Sequence, residues 1–330
     1  MNNISSLGKY INRILRGGIF MYILNNKKTI KFTVIILILM LVSPPLLNAA
    51  HVNIELKSES ALLLDAGTGK ILFEKDSNKK LYPASITKIM TVLLIMEALE
   101  REEISLDEKV LISDNAWKIG GSQVFLATGE EQSVESLLKS IIISSGNDAS
   151  VALAEHLMGS ENNFVKKMNE RAKELGMENT NFTNSHGLHN DNHYTTSHDT
   201  AIVARELLKH KKIFEWSTIM LDYLEHTDKD RPATMLANTN KLIRWYQGAD
   251  GLKTGSHSKA NSCIAATAIR NNLRLISVIL NAPDSNTRFM EAAKLLDYGF
   301  ENYESIPILT KGETVDKLNI EKGQEERVNI

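Results

Sequence analysis

The chain has 330 residues, with a hydrophobic content of 43% and a charged content of 24%, which is typical of a globular protein with a substantial core. Residues 1–50 contain six basic residues and no acidic one, so the rest of the chain carries 32 basic against 40 acidic residues. This acidic remainder argues against nucleic acid as a partner, because nucleic-acid binding requires a basic surface.

The first fifty residues have the pattern of a secretory signal peptide. Three lysines precede the apolar run 32–42, and the small residues Ala49 and Ala50 follow it. The run is shorter than the roughly 20 residues of a membrane-spanning helix, so a retained N-terminal anchor is the weaker alternative. The pattern predicts cleavage near His51 and an exported protein of the cell envelope, at the outer face of the cytoplasmic membrane or secreted.

The mature chain begins and ends with strand patterns and has helical patterns between them. Apolar runs at 61–65 and 71–74, with a glycine-containing turn between them, predict a first hairpin. The other predicted elements are the strands 262–269 and 273–281 and the helices 85–99, 133–144, 149–157, 163–175, 199–211 and 288–298. This order predicts an α+β domain over 51–303, with one sheet built from both ends and an inserted helical lobe.

Residues 304–330 have a different residue pattern from the domain before them. Lys-Gly pairs at 311–312 and 322–323 separate short alternating runs. This pattern predicts the opening strands of a second, β-rich module that stops soon after its start. The only cysteine, Cys263, lies in an apolar run, so we expect a buried thiol and a fold without an intramolecular disulfide.

Ser85 and Lys88 are the first candidate catalytic pair. A serine three residues before a lysine shares one helix face with it, and a buried lysine with a lowered pKa can activate the weakly nucleophilic hydroxyl. Ser-x-x-Lys occurs five times in this chain, so the spacing alone carries little information. Ser85 is singled out because it opens a strongly apolar helix two residues after Pro83.

Lys253-Thr-Gly255 is a rarer pattern that occurs once, ahead of a run of small residues. At the edge of a sheet, Lys253 and Thr254 would hold a substrate carboxylate while a main-chain N–H binds a developing oxyanion. Gly255 would let the substrate approach the backbone closely, because glycine has no side chain.

Two segments compete for a motif of the form Ser-x-Asn, which accompanies these two patterns in penicillin-binding proteins and class A β-lactamases. Ser113-Asp-Asn115 lies only 28 residues after the first motif in a polar stretch, where Asp114 is predicted to cap a helix. Ser145-Gly-Asn147 lies between two apolar helices, where a loop can direct side chains into a cleft. We therefore assign the motif to Ser145 and Asn147.

Together with the runs 83–91 and 145–154 and with Asn-Ser-His-Gly-Leu at 184–188, these motifs resemble the low-molecular-weight penicillin-binding D-alanyl-D-alanine carboxypeptidases. The likeness covers about 56–303, with the motifs in the family's order. It implies a β-lactamase/transpeptidase-like fold with an antiparallel sheet flanked by helices. It also implies a cofactor-free serine peptidase that removes D-alanine from peptidoglycan stem pentapeptides ending in D-Ala-D-Ala and is acylated by β-lactams.

The resemblance gives each motif residue of the nucleophile side a role. Ser85 would be the acylated nucleophile and Lys88 its base. Ser145 and Asn147 would assist proton transfer and hold the amide of the acyl group.

For the other side of the cleft, the resemblance implies a carboxylate site. Lys253 and Thr254 would bind the terminal carboxylate, and the main-chain N–H groups of Ser85 and Ser256 would form the oxyanion hole. Arg288 would lie near the same carboxylate. Members of this family usually continue into a longer β-rich module and an amphipathic membrane helix, so membrane association is left open.

Two alternatives share this fold: a β-lactamase and a non-catalytic penicillin-binding sensor. The only acid near the expected position of a class A deacylating base is Glu178, and the residues after it do not fit. A sensor has no need of an intact nucleophile. A separate hypothesis is a zinc site, because four histidines lie in one segment: His186, His189, His193 and His198. They lack the paired spacing of metal ligands on a helix, so no metal is predicted.

Overall fold

The computed structural model describes residues 54–308 and two short strands closer to the C-terminus. The chain divides into two compact units, Met1–Glu55 and Leu56–Ile330, and the elements below belong to the second. The predicted signal peptide at 1–50 lies outside the described residues. Its cleavage and export therefore stay predictions.

The strands predicted early and late in the chain are present, and further strands lie between them. They are β1 (Ser60–Asp65), β2 (Ile71–Lys75), β3 (Lys109–Leu111), β4 (Glu131–Ser133), β5 (Leu221–Leu224), β6 (Thr234–Ala237), β7 (Ala249–His257), β8 (Asn261–Arg270), β9 (Leu273–Ala282), β10 (Lys317–Asn319) and β11 (Arg327–Asn329). Five of them form one antiparallel sheet in the order β2-β1-β9-β8-β7. The remaining strands of the described residues form two-stranded pairs, β3 with β4, β5 with β6 and β10 with β11.

The helices occupy the middle of the chain and its end. They are α1 (Lys88–Glu100), α2 (Asp114–Lys118), α3 (Val134–Ser144), α4 (Asn147–Met158), α5 (Glu161–Glu174), α6 (Ser197–Leu207), α7 (Ile213–Ser217), α8 (Leu242–Trp245) and α9 (Ser285–Asn302). A 3-10 turn, Ala84–Thr87, leads directly into α1. The predicted α+β fold, a sheet built from both ends with a helical lobe inserted, is confirmed.

Burial explains how the sheet and the lobe meet. Consecutive residues of β8 and β9 are buried, so both faces of the central sheet are covered, and α6 and α9 both pack against β9. Helix α1 is apolar around almost its whole circumference and packs against α3, α4, α5 and α6. A helix of this kind belongs in the core, which fixes its first turn firmly in place.

The sheet edge positions the functional residues. Strand β7 is an outer strand of the five-stranded sheet, and the 3-10 turn before α1 packs against it. The start of the central helix and the free edge of the sheet therefore border one cleft.

Several details of the sequence-based prediction are wrong, among them the end of the helix expected over 199–211, which is Leu207. The helix expected to begin at Ser85 begins as a 3-10 turn and becomes α-helical at Lys88, and the helix expected at 149 begins at Asn147. The cap of α2 is Ser113, whose Oγ accepts from the Ala116 N–H at 3.0 Å, and not Asp114. Serine before a first-turn acid is the ordinary arrangement, because the hydroxyl reaches the free N–H groups while the acid faces the positive helix end.

Near the C-terminus, β10 and β11 pair antiparallel, with Lys317 opposite Asn329. The β-rich module predicted over 304–330 otherwise stays a prediction. Within the described ranges, no helix is long and apolar enough to cross a membrane.

Candidate active site

The serine of the first motif lies on a constrained turn. Ser85 is half-buried in the 3-10 turn, directly after Ala84, which has a left-handed backbone with φ of 49°. The Thr87 hydroxyl donates to the Ala84 carbonyl at 2.8 Å. A Cβ on Gly187 would meet the same carbonyl oxygen at 1.9 Å, so only glycine permits this approach. The backbone that carries Ser85 is thus held from two sides.

Lys88 lies one turn further along and is fully buried. Its Nζ is 3.2 Å from Ser85 Oγ, 2.6 Å from Asn147 Oδ1 and 2.6 Å from the main-chain oxygen of His186. The serine, the lysine and the asparagine singled out from the sequence are therefore in direct contact.

The electrostatic environment favours a neutral amine at Lys88. Burial is the main cause that lowers the pKa of Lys88 well below its usual value, and the positive charge of Lys253 lowers it further, against a smaller opposing effect of Asp148. Lys88 and Lys253 both line a small cavity of about 10 Å³ whose other walls include Ile89 and Leu252. Such apolar walls raise the free energy of the protonated form of either lysine.

The second motif connects α3 to α4. Ser145 caps α3 in a left-handed conformation with φ of 66° and is buried. Asn147 begins α4, and its Nδ2 donates to the Gly120 carbonyl at 2.8 Å, which leaves Oδ1 to accept from Lys88. The carbonyl partner fixes the orientation of the amide group.

The third motif lies on the free edge strand. Lys253 is buried and its Nζ donates to the Thr254 carbonyl at 3.0 Å, while the Thr254 hydroxyl donates to Thr239 Oγ1 at 2.8 Å. Burial, and then the charge of Arg288, lowers the pKa of Lys253 to about 7. Ser256 follows on the same strand and is exposed.

Gly255 serves a closer contact than the one predicted from the sequence. A Cβ at this position would lie 2.9 Å from both the Pro83 carbonyl oxygen and the Ser85 nitrogen. The glycine is therefore needed first for the approach of β7 to the turn that carries Ser85. This contact brings the main chain of the third motif next to the Ser85 N–H.

Arg288 extends from α9 to the back of the edge strand. Its Nη1 donates to the Gly255 carbonyl at 3.0 Å and to the Cys263 carbonyl at 3.4 Å. The structure thus places Arg288 behind Lys253, where its charge acts on that lysine. Cys263 is buried as expected, and burial raises the pKa of its thiol to about 11.

The segment 184–188 contributes contacts to which the sequence analysis gave no role. The carbonyl of His186 accepts from Lys88, and the carbonyl of Ser185 accepts from Thr91 at 2.5 Å. Its Asn-Ser-His-Gly-Leu run contributes to the family resemblance, which predicts no contact for these main-chain oxygens. Main-chain oxygens leave no signature in residue type, so a glycine inside a polar loop was the one available signal.

The four clustered histidines have separate partners. His193 contacts Thr87 at 2.8 Å, His186 lies 3.5 Å from Glu161, and His189 and His198 each lie beside a neighbouring aspartate. Burial is the main cause that lowers the pKa of both His186 and His193 to about 3. In the part of the chain that the structure describes, no three His, Cys, Asp or Glu side chains form a group able to hold a metal ion.

The competing Ser-x-Asn segment lies elsewhere in the lobe. Ser113 and Asn115 both donate to Glu155, at 2.5 and 2.8 Å. Glu155 is eight residues beyond Asn147 on α4, which corresponds to roughly 12 Å along the helix axis. Asn115 therefore ties α2 to α4, whereas Asn147 contacts Lys88.

This geometry agrees with comparison to known proteins. A model of the D-alanyl-D-alanine carboxypeptidase family matches residues 47–284. The chain belongs to this family. The carboxypeptidase is a serine-type hydrolase, and it is similar to the D-alanyl-D-alanine carboxypeptidase DacF of Bacillus subtilis, with 46% identity over 275 residues that cover 83% of this chain and 70% of DacF. DacC of Escherichia coli is 35% identical over 299 residues, 87% of this chain and 72% of DacC.

Solved structures show the same fold. Penicillin-binding protein 5 of Haemophilus influenzae matches the carboxypeptidase with a TM-score of 0.74 and 32% identity, over 84% of this chain and 80% of that one. DacD of Francisella tularensis matches with a TM-score of 0.74 and 30% identity, over 81% and 76% of the two chains. The penicillin-binding fold implied by the sequence motifs is therefore confirmed.

Proposed function

We propose that this carboxypeptidase removes the terminal D-alanine from peptidoglycan stem pentapeptides, with Ser85 as the acylated nucleophile and Lys88 as its base. The observation that carries the proposal is the set of contacts around Lys88 Nζ. Asn147 Oδ1 and the His186 carbonyl can only accept hydrogen bonds. A neutral amine gives its two hydrogens to these oxygens, which leaves its lone pair for the hydroxyl proton of Ser85.

In the acylation step, Ser85 Oγ attacks the carbonyl carbon of the penultimate D-alanine while Lys88 takes the hydroxyl proton. The C–N bond to the terminal D-alanine breaks, and the leaving amine receives a proton from the lysine or through Ser145. The product is an ester between Ser85 and the shortened peptide. Water then attacks that ester, releases the peptide as a carboxylic acid and restores the serine hydroxyl.

The edge strand supplies the binding groups. Lys253 and Thr254 bind the carboxylate of the leaving D-alanine, because a buried cation beside a hydroxyl suits a single terminal carboxylate. The N–H groups of Ser85 and Ser256 stabilise the oxyanion. The approach of Gly255 to the Ser85 nitrogen supports this pairing of turn and strand. Arg288 acts from behind the strand by holding the Gly255 carbonyl.

The same groups account for acylation by β-lactams, whose strained amide and carboxylate resemble the reacting dipeptide. The substrate lies in the cell wall, so the enzyme acts outside the cytoplasm, at the outer face of the membrane or secreted. The basic and apolar pattern of residues 1–50 supports export. Mass spectrometry of envelope protein should find an N-terminus close to His51, and an intact chain in the cytoplasm would contradict this part of the proposal.

A paired assay tests the proposed activity. Labelled penicillin should modify the protein covalently, and D-alanine should be released from a pentapeptide ending in D-Ala-D-Ala. Rapid turnover of penicillin would indicate a β-lactamase, and binding without D-alanine release would indicate a sensor. Asn147→Ala should abolish most release, whereas Asn115→Ala, the matched control, removes one exposed hydrogen bond to Glu155 and should cost only stability, about 0.5–1.5 kcal/mol. The reverse ranking would overturn the assignment of Asn147.

A further inference from the structure

The end of α2 and the loop that follows it form an aromatic surface, and Gly120 of this loop contacts Asn147. Trp117 and Phe125 have 48% and 63% of their surface exposed, which is unusual for rings of this size. Together with Gly120, Gln123 and Arg231 they line a cavity of about 410 Å³, which we call the aromatic groove. The groove has no role in the reaction steps described above.

The exposure of Phe125 is enforced by its surroundings. Its backbone has a φ of 59°, a left-handed conformation that is unfavourable for a bulky side chain. Buried Val124 and Leu126 flank it, and the main-chain N–H groups of both donate to the Asp148 carboxylate, at 3.0 and 3.2 Å for Oδ2. Arg231 donates to the Phe125 carbonyl. These contacts hold the backbone in the strained conformation and direct the ring outward, as expected where strain serves a function.

The groove is continuous with the active site through Asn147. The Asn147 side chain donates to the Gly120 carbonyl at 2.8 Å, and its main-chain N–H donates to the Ser122 carbonyl at 2.7 Å. The same side chain accepts from Lys88. One residue therefore contacts the proposed base on one side and the groove loop on the other.

The proposed function predicts which part of the substrate lies in the groove. The terminal carboxylate would bind at Lys253 and Thr254, and the acyl group would be held at Asn147. The peptide on the acyl side then continues from Asn147 towards Gly120 and the aromatic groove. The charged groups at the rim already have partners, Lys118 with Asp114 and Arg231 with Glu130, so the groove offers mainly apolar and planar contacts.

We propose that the aromatic groove binds the stem-peptide residues that precede the D-Ala-D-Ala end, by packing their aliphatic stems and peptide planes on Trp117 and Phe125. This inference rests on the proposed function. Trp117 and Phe125 then determine the preference for a longer donor peptide and take no part in bond cleavage. Aromatic walls next to a small number of polar groups are typical of sites for such ligands.

The test compares two donors on the full chain: the pentapeptide L-Ala-γ-D-Glu-L-Lys-D-Ala-D-Ala and the short donor N-acetyl-D-Ala-D-Ala. The wild-type enzyme should have a higher kcat/KM for the pentapeptide. Trp117→Ala and Phe125→Ala should each lower the ratio of the two kcat/KM values about tenfold, the loss expected when one aromatic contact is removed. Trp245→Ala, which removes a ring that is 52% exposed on α8, should leave the ratio at the wild-type value.

The outcomes separate the inference from the proposed function. A ratio that both groove variants leave unchanged, while D-alanine is still released, would overturn the groove as a subsite and leave the function intact. A wild-type enzyme without preference for the longer donor would do the same. If neither donor yields D-alanine, both the proposed function and the inference fail. Because the measured quantity is a ratio, a variant that folds only in part still gives a valid result.

Discussion

Lys88 and Lys253 line the same small apolar cavity, and the positive charge of Lys253 contributes to the lowered pKa of Lys88. Two buried lysines so close together cannot both hold a proton easily. The proposed chemistry needs one of each kind, a neutral base at Lys88 and a cation for the substrate carboxylate at Lys253. The repulsion between the two buried charges therefore favours the state in which only one of the two lysines is protonated.

This relationship predicts a bell-shaped pH profile of kcat/KM. The rising limb reflects loss of the proton from Lys88, and the falling limb reflects loss of the proton from Lys253, whose pKa is about 7. Because the two groups interact, both apparent pKa values belong to the pair. Lys253→Arg keeps the charge to high pH and should move the falling limb upward. A falling limb that stays in place would show that Lys253 does not cause it.

Stability should depend on pH through the same lysine. The pKa of Lys253 is about 7 in the folded protein and about 10.4 when unfolded, so between these values the unfolded chain binds a proton that the folded chain does not. Stability therefore rises with pH across this window, and the burial cost is fully present below pH 7. Lys253→Met should raise the Tm most at pH 6 and progressively less towards pH 10.

Thermal unfolding of wild-type and variant protein at pH 6, 8 and 10 measures this difference. We expect a gain of several degrees at pH 6, given that 1 kcal/mol shifts the Tm of a domain of this size by about 2–4 °C. Lys118→Met, a change at an exposed lysine, is the matched control and should show little change with pH. An equal gain at all three values would contradict the burial argument.

His193 is expected to position the nucleophile. Its Nδ1 accepts from the Thr183 N–H at 3.0 Å, so the proton lies on Nε2 and is donated to the Thr87 hydroxyl, which donates to the Ala84 carbonyl. His193→Leu breaks this chain next to Ser85 and should slow acylation by penicillin about tenfold. His193→Gln can still donate to Thr87 and should recover most of the rate.

The pH dependence distinguishes this effect from catalysis by an ionised histidine. Because burial lowers the pKa of His193 to about 3, the loss in His193→Leu should be the same at pH 6 and pH 8. His198→Leu, which changes a more exposed histidine of the same segment, should leave the rate close to wild type. A drop in Tm without a slower acylation would assign His193 to folding alone.

The sequence predicted those parts of the site that depend on local spacing. Ser85 was selected from five Ser-x-x-Lys segments because it opens a strongly apolar helix, and Lys253 was selected because Lys-Thr-Gly occurs once. The strand β7 that carries Lys253 was not among the predicted elements. The choice of Asn147 over Asn115 followed from the apolar helices around it.

Contacts made by the main chain could not be predicted in this way. The His186 carbonyl beside Lys88 and the approach of Gly187 to Ala84 depend on how a polar loop folds back over the lobe. Arg288 was expected near the substrate carboxylate, but its contacts with the Gly255 and Cys263 carbonyls depend on the packing of α9 against the sheet. Residue type indicates which atoms are available, whereas tertiary packing decides which of them meet.

The acylation rate of Lys88→Arg tests the central claim most directly. Wild-type protein treated with penicillin should gain mass on one peptide that contains Ser85, and Ser85→Ala should abolish this gain. Arginine keeps its proton throughout the accessible pH range, so Lys88→Arg should acylate about 10²–10⁴-fold more slowly than wild type, while Lys167→Arg, at an exposed lysine of α5, should match wild type. If Lys88→Arg, shown to be folded by its Tm, acylates at close to the wild-type rate, lysine is not the base and the proposed mechanism is wrong.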